Sequence, residues 1–303
     1  MNINSVIEQL DWHREPLGLY EPIGYTLAAG GKRLRPTLCM IGAQIFGGKE
    51  EAVLPAALAL EIFHNFTLLH DDVMDKAEVR RGRACVHIRW NENTAILSGD
   101  QMMIEAYKQL GQVDEPHLPY VLRLFNQMAT EICEGQQYDV DFEQREDVSI
   151  ADYMQMIRLK TSVLLATALR IGAYIGGANE QEQKALYEYG ICIGLAFQIQ
   201  DDYLDCYGNP KTFGKAIGGD IKEGKKTWLW LTAQQERGDK EALASKDYDR
   251  VINEYNRLGV PELALQQIRQ LTEEGLSYLN QVPQGEATDQ LRRLADQLVN
   301  RQS

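Results

Sequence analysis

Apolar residues recur along this chain at three- and four-residue spacing, the mark of helices with one face turned to a core. Strand-like alternation is nearly absent. The pattern predicts helices over 18–30, 34–46, 52–76, 93–112, 118–143, 150–176, 180–207, 224–236, 240–258, 261–280 and 286–300. Breaks fall where chain-bending residues gather, at Gly47-Gly48, Gly176-Gly177, Gly208-Asn209-Pro210 and Pro283-Gln284-Gly285. Pro55 lies in the first turn of its helix, where a missing N–H costs little. No low-complexity linker or short repeat divides the 303 residues, so one all-α domain over 1–303 is expected.

Composition removes several function classes. A content of 44% hydrophobic and 25% charged residues suits a globular chain with an ample core. The net charge of −13 argues against nucleic acid, which needs a basic face. Cys39, Cys85, Cys133, Cys192 and Cys206 are odd in number and scattered, which fits neither a disulfide framework nor a zinc site. A reducing cytoplasm is therefore the expected compartment. The first residues, Met1-Asn2-Ile3-Asn4-Ser5, lack the charged-then-apolar order of an export signal. No run is expected to reach the roughly 18 apolar residues that span a bilayer, so no stable membrane insertion is expected.

Two copies of Asp-Asp-x-x-Asp carry the chemistry. Asp71-Asp72-Val73-Met74-Asp75 closes one apolar helical stretch and Asp201-Asp202-Tyr203-Leu204-Asp205 closes another. On a helix, positions four apart share a face, so Asp71 pairs with Asp75 and Asp201 with Asp205. Like charges at that spacing weaken a helix unless something positive sits between them. A hard divalent cation with a preference for carboxylate oxygen meets that need. Mg²⁺ keeps few protein ligands and completes its shell from water and phosphate, so two facing clusters would hold a diphosphate between them. One such cluster could be a solvated helix end; two, both after apolar helices, are better explained by a site.

Cations gather beside these carboxylates although the chain is acidic overall. Lys32 and Arg35 stand three apart in Gly30-Gly31-Lys32-Arg33-Leu34-Arg35-Pro36. Arg80-Arg81-Gly82-Arg83 follows the first cluster, Lys160-Thr161 interrupts an apolar helix, and Lys215 and Lys225 flank Gly218-Gly219-Asp220. Each alone would usually be a surface ion pair. Together they suit two anionic substrates, with Arg offering bidentate and Lys mobile contacts to phosphate.

In order, these motifs resemble the trans-isoprenyl diphosphate synthases of the polyprenyl synthetase family. The resemblance runs from about Gly24 to Trp228 and includes His64, Gly135-Gln136-Gln137-Tyr138-Asp139 and Phe197-Gln198-Ile199-Gln200 before the second cluster. One departure stands out: after Arg-Arg-Gly-x the family commonly has Pro-Thr-x-His, and this chain has Ala84-Cys85-Val86-His87. The resemblance implies an all-α type I isoprenoid synthase bundle around a central cavity. It also implies a homodimer and three Mg²⁺ ions with substrate bound. The implied reaction ionises an allylic diphosphate, adds the double bond of isopentenyl diphosphate to the allylic cation, and loses a proton.

Residue roles follow from the motif positions. Asp71, Asp75 and Asp201 are expected as direct Mg²⁺ ligands, and Asp72, Asp202 and Asp205 as holders of bound water or outer partners. Arg80, Lys160, Lys215 and Lys225 resemble the allylic diphosphate clamp. Lys32, Arg35, His64 and Arg81 resemble the isopentenyl diphosphate site. Thr161 and Gln198 would stabilise the cation through their oxygens. No side-chain base is required, since departing pyrophosphate can take the proton.

Product length is expected to depend on a floor one turn before the first cluster, where Phe66 and Thr67 stand. At 1.5 Å per residue, Phe66 lies roughly 7.5 Å from Asp71 along the axis. The family pattern points to a fifteen- or twenty-carbon product, and the lack of a two-residue insertion in the first cluster favours twenty. A terpene cyclase would leave Lys32, Arg35 and Arg81 without a purpose. A head-to-head condensing enzyme would lack the Gly-Gly-Lys-Arg-Leu-Arg-Pro segment. A regulatory subunit would be expected to have lost one cluster.

Overall fold

The computed structural model describes residues 3–208 and 217–299, with side chains through Gln297. In chain order the first helices are α1 (Ile3–Glu8), α2 (Leu17–Leu27), α3 (Leu34–Ile45) and α4 (Glu50–Met74). A two-residue hairpin follows, β1 (Val79–Arg80) and β2 (Arg83–Ala84), then α5 (Val86–Arg89), α6 (Glu92–Leu110) and α7 (Leu118–Gln144). Next come α8 (Ile150–Ile157), a π-helical turn (Arg158–Ser162), α9 (Val163–Ile175) and α10 (Glu180–Tyr207). The remainder is α11 (Gly219–Glu223), α12 (Trp228–Gln235), α13 (Lys240–Ala244), α14 (Tyr248–Leu258), α15 (Val260–Tyr278), a 3₁₀ turn (Leu279–Gln281) and α16 (Glu286–Val299). The chain divides into two compact units, residues 1–125 with 168–179 and residues 126–167 with 180–303.

The first unit is built on α4, which packs on α3 and α6. Its sequence explains this: Val53, Ala56, Ala57, Leu60, Ile62 and Phe63 are buried, too many for one stripe, so neighbours must cover the helix on more than one side. By length and composition α4 could cross a membrane, which corrects the expectation that no run is long and apolar enough. Two-thirds of that stretch, 67%, is buried inside the protein, as befits a core helix. Close packing also depends on small residues where α3 meets the second half of α9. A β-carbon at Gly42 would fall 2.5 Å from the carbonyl oxygen of Leu169, and one at Gly172 would collide with that of Cys39.

The second unit is centred on α10, packed along α15. Its core joins Phe142, Tyr153, Ile157, Ile199, Trp228, Tyr255 and Ile268. Helix starts here follow capping chemistry. Ser149 and Asp152 form a reciprocal capping box on α8, Thr227 caps α12 and Asp239 caps α13. Asp247 caps α14, and that cap splits the helix expected over 240–258, because Lys246 before it turns left-handed with φ 54°. The helix expected over 224–236 starts four residues later, as α12, and the short α11 ahead of it, closed by Gly224 with φ 77°, was not expected.

Candidate active site

The first acidic cluster sits at the carboxyl end of α4, with Asp75 as its C-cap. Carboxylates there face the negative end of the helix dipole, so the position itself calls for cations. One is supplied locally: Arg80 Nε donates to Asp72 Oδ1 at 2.6 Å, and Asp72 is buried. Asp71 and Asp75 are less enclosed, Asp75 being exposed. Cys85, in the segment that departs from the family pattern, lies against Asp72; burial first, then that carboxylate, push its thiol up to about 12. A cavity beside the cluster is lined by Tyr25, Asn65, Asp72, Arg80, Arg81 and Cys85 among others.

A tight hairpin carries the cations back to the glycine pair. Arg81 and Gly82 occupy its two central positions with φ of 51° and 73°, the left-handed pair that a two-residue turn needs. Arg81 Nη1 donates to the carbonyl of Gly30. A β-carbon at Gly31 would stand 2.9 Å from the Arg81 guanidinium carbon, and φ at Gly31 is 129°. Gly30-Gly31 therefore makes room for Arg81. His64 is buried in the same quarter, and its pKa falls well below 6.5 through burial first, then Arg35, Arg81, Arg80 and Arg33. Arg35 is pushed down to about 10 by burial, with Glu61 opposing and Arg81 adding to the fall. Arg35, His64 and Arg81 thus share one electropositive neighbourhood. Lys32 is exposed in the adjoining turn.

Below the cluster, Phe66 packs edge-to-face on His70, ring centroids 4.8 Å apart, and on Phe63 at 5.3 Å. Phe63 in turn meets Phe125, and Phe125 meets Tyr107. Thr67 turns its hydroxyl back to the carbonyl of His64 at 2.8 Å. His70 Nε2 lies 3.1 Å from the carbonyl of Ile96 and fills the space over Gly99, which gives it a packing role.

In the second unit, Lys160 and Thr161 lie within the π-helical turn. Its wider spacing sends adjacent side chains to different helices: Lys160 Nζ lies 2.5 Å from Asp139 Oδ2 on α7, and Thr161 Oγ1 donates to Gln198 Oε1 on α10 at 3.1 Å. Gln198 Nε2 donates to Asp202 Oδ1 at 3.3 Å. Asp202 also accepts from the Tyr153 hydroxyl and from the Trp228 N–H at 3.3 Å. Burial raises the Asp202 carboxyl, and the neighbouring Asp220 adds to the rise. Asp201 and Asp205 are half-buried, and Asp205 Oδ2 accepts the Asp220 N–H at 3.1 Å. Lys225 Nζ is 3.0 Å from Glu223 and 3.6 Å from Asp220. Lys215 lies outside the described residues.

Four site neighbours had no role assigned from sequence: Arg33, Glu61, Asp139 and Tyr153. Glu61 left a signal, an acid inside the apolar run Leu58-Ala59-Leu60-Glu61-Ile62-Phe63. Asp139 ends a motif whose role depends on the π turn. No sequence pattern marks Tyr153.

Two helix-borne aspartate clusters, the first ion-paired to Arg80 and the second joined through Asp205 to the Asp220 that Lys225 approaches, suit an all-α enzyme that handles diphosphates. The comparisons agree. Residues 17–256 match the family Polyprenyl synthetase. The geranylgeranyl diphosphate synthase of Methanosarcina mazei is 36% identical over 99% of this chain and 95% of its own. The geranylfarnesyl diphosphate synthase of Natronomonas pharaonis is 37% identical over 98% of this chain and 94% of its own. The crystal structure of geranylgeranyl pyrophosphate synthetase from Pyrococcus horikoshii superposes with a TM-score of 0.93 at 32% identity, covering 99% of this chain and 95% of that one. The chain belongs to the polyprenyl synthetase family, has its all-α isoprenoid synthase fold, and is a prenyltransferase.

Proposed function

We propose that this enzyme condenses isopentenyl diphosphate with an allylic diphosphate and releases a short-chain trans-prenyl diphosphate, of twenty carbons rather than fifteen, with pyrophosphate. The observation that carries this reading is the first acidic helix end, where Arg80 holds Asp72 and Arg80 and Arg81 line the cavity beside it. The product length is supported by the relatives, one of which makes twenty carbons by its name and another twenty-five.

Asp71, Asp75 and Asp201 are assigned as ligands of Mg²⁺, three ions with substrate bound. Their donor chemistry fits a hard cation. Among the described residues no three carboxylate, imidazole or thiol side chains converge on one point. Mg²⁺ would take most of its shell from water and diphosphate and the remainder from these carboxylate oxygens. When bound, it neutralises the charge that grows on pyrophosphate as the allylic C–O bond breaks. Asp72 and Asp202, both buried and hydrogen-bonded, act as outer partners, and Asp205 with them.

The chain's own groups do the rest. Arg80, Lys160, Lys215 and Lys225 hold the leaving diphosphate, with Asp139 orienting Lys160. Lys32, Arg35, His64 and Arg81 hold isopentenyl diphosphate, His64 as a neutral donor. Gln198, anchored through its amide nitrogen to Asp202, keeps its oxygen directed at Thr161. These two oxygens face the allylic cation, and pyrophosphate takes the proton. Ile96, Leu97, Ile104 and Tyr107 form an exposed apolar stripe on α6, which supports a homodimer. The cytoplasm is the proposed location. Asp71→Ala and Asp201→Ala, each assayed with and without Mg²⁺, test the assignment. Both should lose about 10³-fold or more in turnover while staying helical. Near-normal turnover with unchanged metal dependence would refute it.

A further inference from the structure

Two charged side chains beside the isopentenyl diphosphate cations are almost wholly enclosed: Arg33 is 6% exposed and Glu61 2%. Arg33 precedes α3 with φ 46°, a left-handed conformation that a residue with a β-carbon rarely adopts unless its surroundings enforce it. Here the side chain enforces it. Nη1 donates to Glu61 Oε1 at 2.6 Å, Nη2 to the carbonyl of Leu27 at 2.6 Å, and Nε to Asn4 Oδ1 at 3.1 Å. With all three guanidinium nitrogens engaged inside the protein, Arg33 is not placed to hold a substrate phosphate. Its neighbours Lys32 and Arg35 remain for that task.

Glu61 lies on the turn of α4 that also carries His64 and Asn65, and Asn65 Nδ2 donates to Glu61 Oε1 at 2.9 Å. Glu61 Oε2 and Arg35 Nε are both buried without a hydrogen-bond partner among the described residues. Glu61 is thus a single enclosed carboxylate amid Arg33, Arg35 and Arg81, and its charge opposes the loss of a proton from the last two. A buried ion pair is weak as a stabilising device, because apolar side chains of similar volume often serve as well. Its presence here calls for another reason.

We infer that the buried Arg33–Glu61 ion pair is a positioning element of the isopentenyl diphosphate site: it fixes the left-handed turn that carries Lys32 and Arg35 against the turn of α4 that carries His64. The inference rests on the functional reading above. The cations are thereby set before the diphosphate arrives, and the entropy of ordering them is spent in folding rather than in binding.

The test separates position from stability. Arg33→Met or Glu61→Leu alone strands a buried charge and should lower the thermal midpoint. The double variant Arg33→Met/Glu61→Leu removes both charges and should recover most of that midpoint. It should nevertheless raise the Michaelis constant for isopentenyl diphosphate at least about tenfold, leaving that for the allylic primer within about twofold. Arg33→Lys, which keeps the charge but loses the fork, should shift the same constant in the same direction by about three- to tenfold. Recovery of both midpoint and isopentenyl constant in the double variant would overturn the inference, as would equal shifts for the two substrates or an unchanged constant in Arg33→Lys. Wild-type consumption of isopentenyl diphosphate is the control for the functional reading; if it fails, that reading falls and the inference with it.

Discussion

No β-carbon fits at Gly135, because the backbone nitrogen of Lys160 occupies that space. From α10, Gly194 approaches the same turn, where a β-carbon would stand 2.6 Å from the Cα of Ser162. Two glycines on two helices thus hold the π turn that sends Lys160 to Asp139 and Thr161 to Gln198. Gly135→Ala should displace that turn and lower turnover by about 10²-fold, since small misplacements of a phosphate-holding group are costly. Gly111→Ala, with nothing nearer than 3.5 Å, is the control and should leave turnover unchanged. Equal activity of the two variants would show that the π turn does not set the position of Lys160.

Stability should depend on pH through His64. Burial, reinforced by Arg35, Arg81, Arg80 and Arg33, keeps its pKa well below 6.5, so the folded chain holds it neutral. Unfolded, the same imidazole takes up a proton as pH falls through about 6.5. The unfolded state then binds the extra proton, and stability present above that pH is progressively lost below it. Thermal midpoints of wild type and His64→Asn, measured from pH 7.5 down to about 5, should show the wild type losing more. Parallel curves would mean that His64 takes up its proton as readily in the folded protein as in the unfolded one.

Phe66 stands at the head of a run of rings through Phe63, Phe125 and Tyr107. Phe66→Ala removes the half-buried ring nearest the first aspartates, and helices relax only partly around such a loss. The expected result is a product lengthened by about one five-carbon unit, because Phe63 and Phe125 remain behind it. Chromatography of products from one primer measures this. An unchanged distribution from a folded variant would move control of length to another helix.

Much of this was legible in the sequence, for identifiable reasons. The acidic clusters showed because the period of a helix turns spacing into shared faces, and α3, α4, α6, α7, α10 and α15 showed because their apolar residues follow that period. The π turn did not show, since Arg158–Ser162 has ordinary helical composition and its geometry is imposed by Gly135 and Gly194 from elsewhere in the chain. The hairpin at 79–84 is two residues per strand, too short for alternation to register. The split at Lys246 follows from a left-handed residue rather than from any change in hydrophobic pattern, and the left-handed Gly224 likewise closes α11. Among candidate site residues, the cations of the motifs are legible by their spacing, whereas Glu61 and Tyr153, which bond to other side chains, lie hidden in apolar surroundings.

Product analysis with purified enzyme, isopentenyl diphosphate, Mg²⁺ and each allylic primer in turn tests most directly whether the enzyme joins two prenyl units with loss of pyrophosphate. Isopentenyl diphosphate should be consumed and pyrophosphate released in equal amounts. An all-trans twenty-carbon diphosphate should accumulate, and a chelator should stop the reaction. Consumption of the allylic substrate alone, with cyclic hydrocarbon as product and isopentenyl diphosphate untouched, would contradict this.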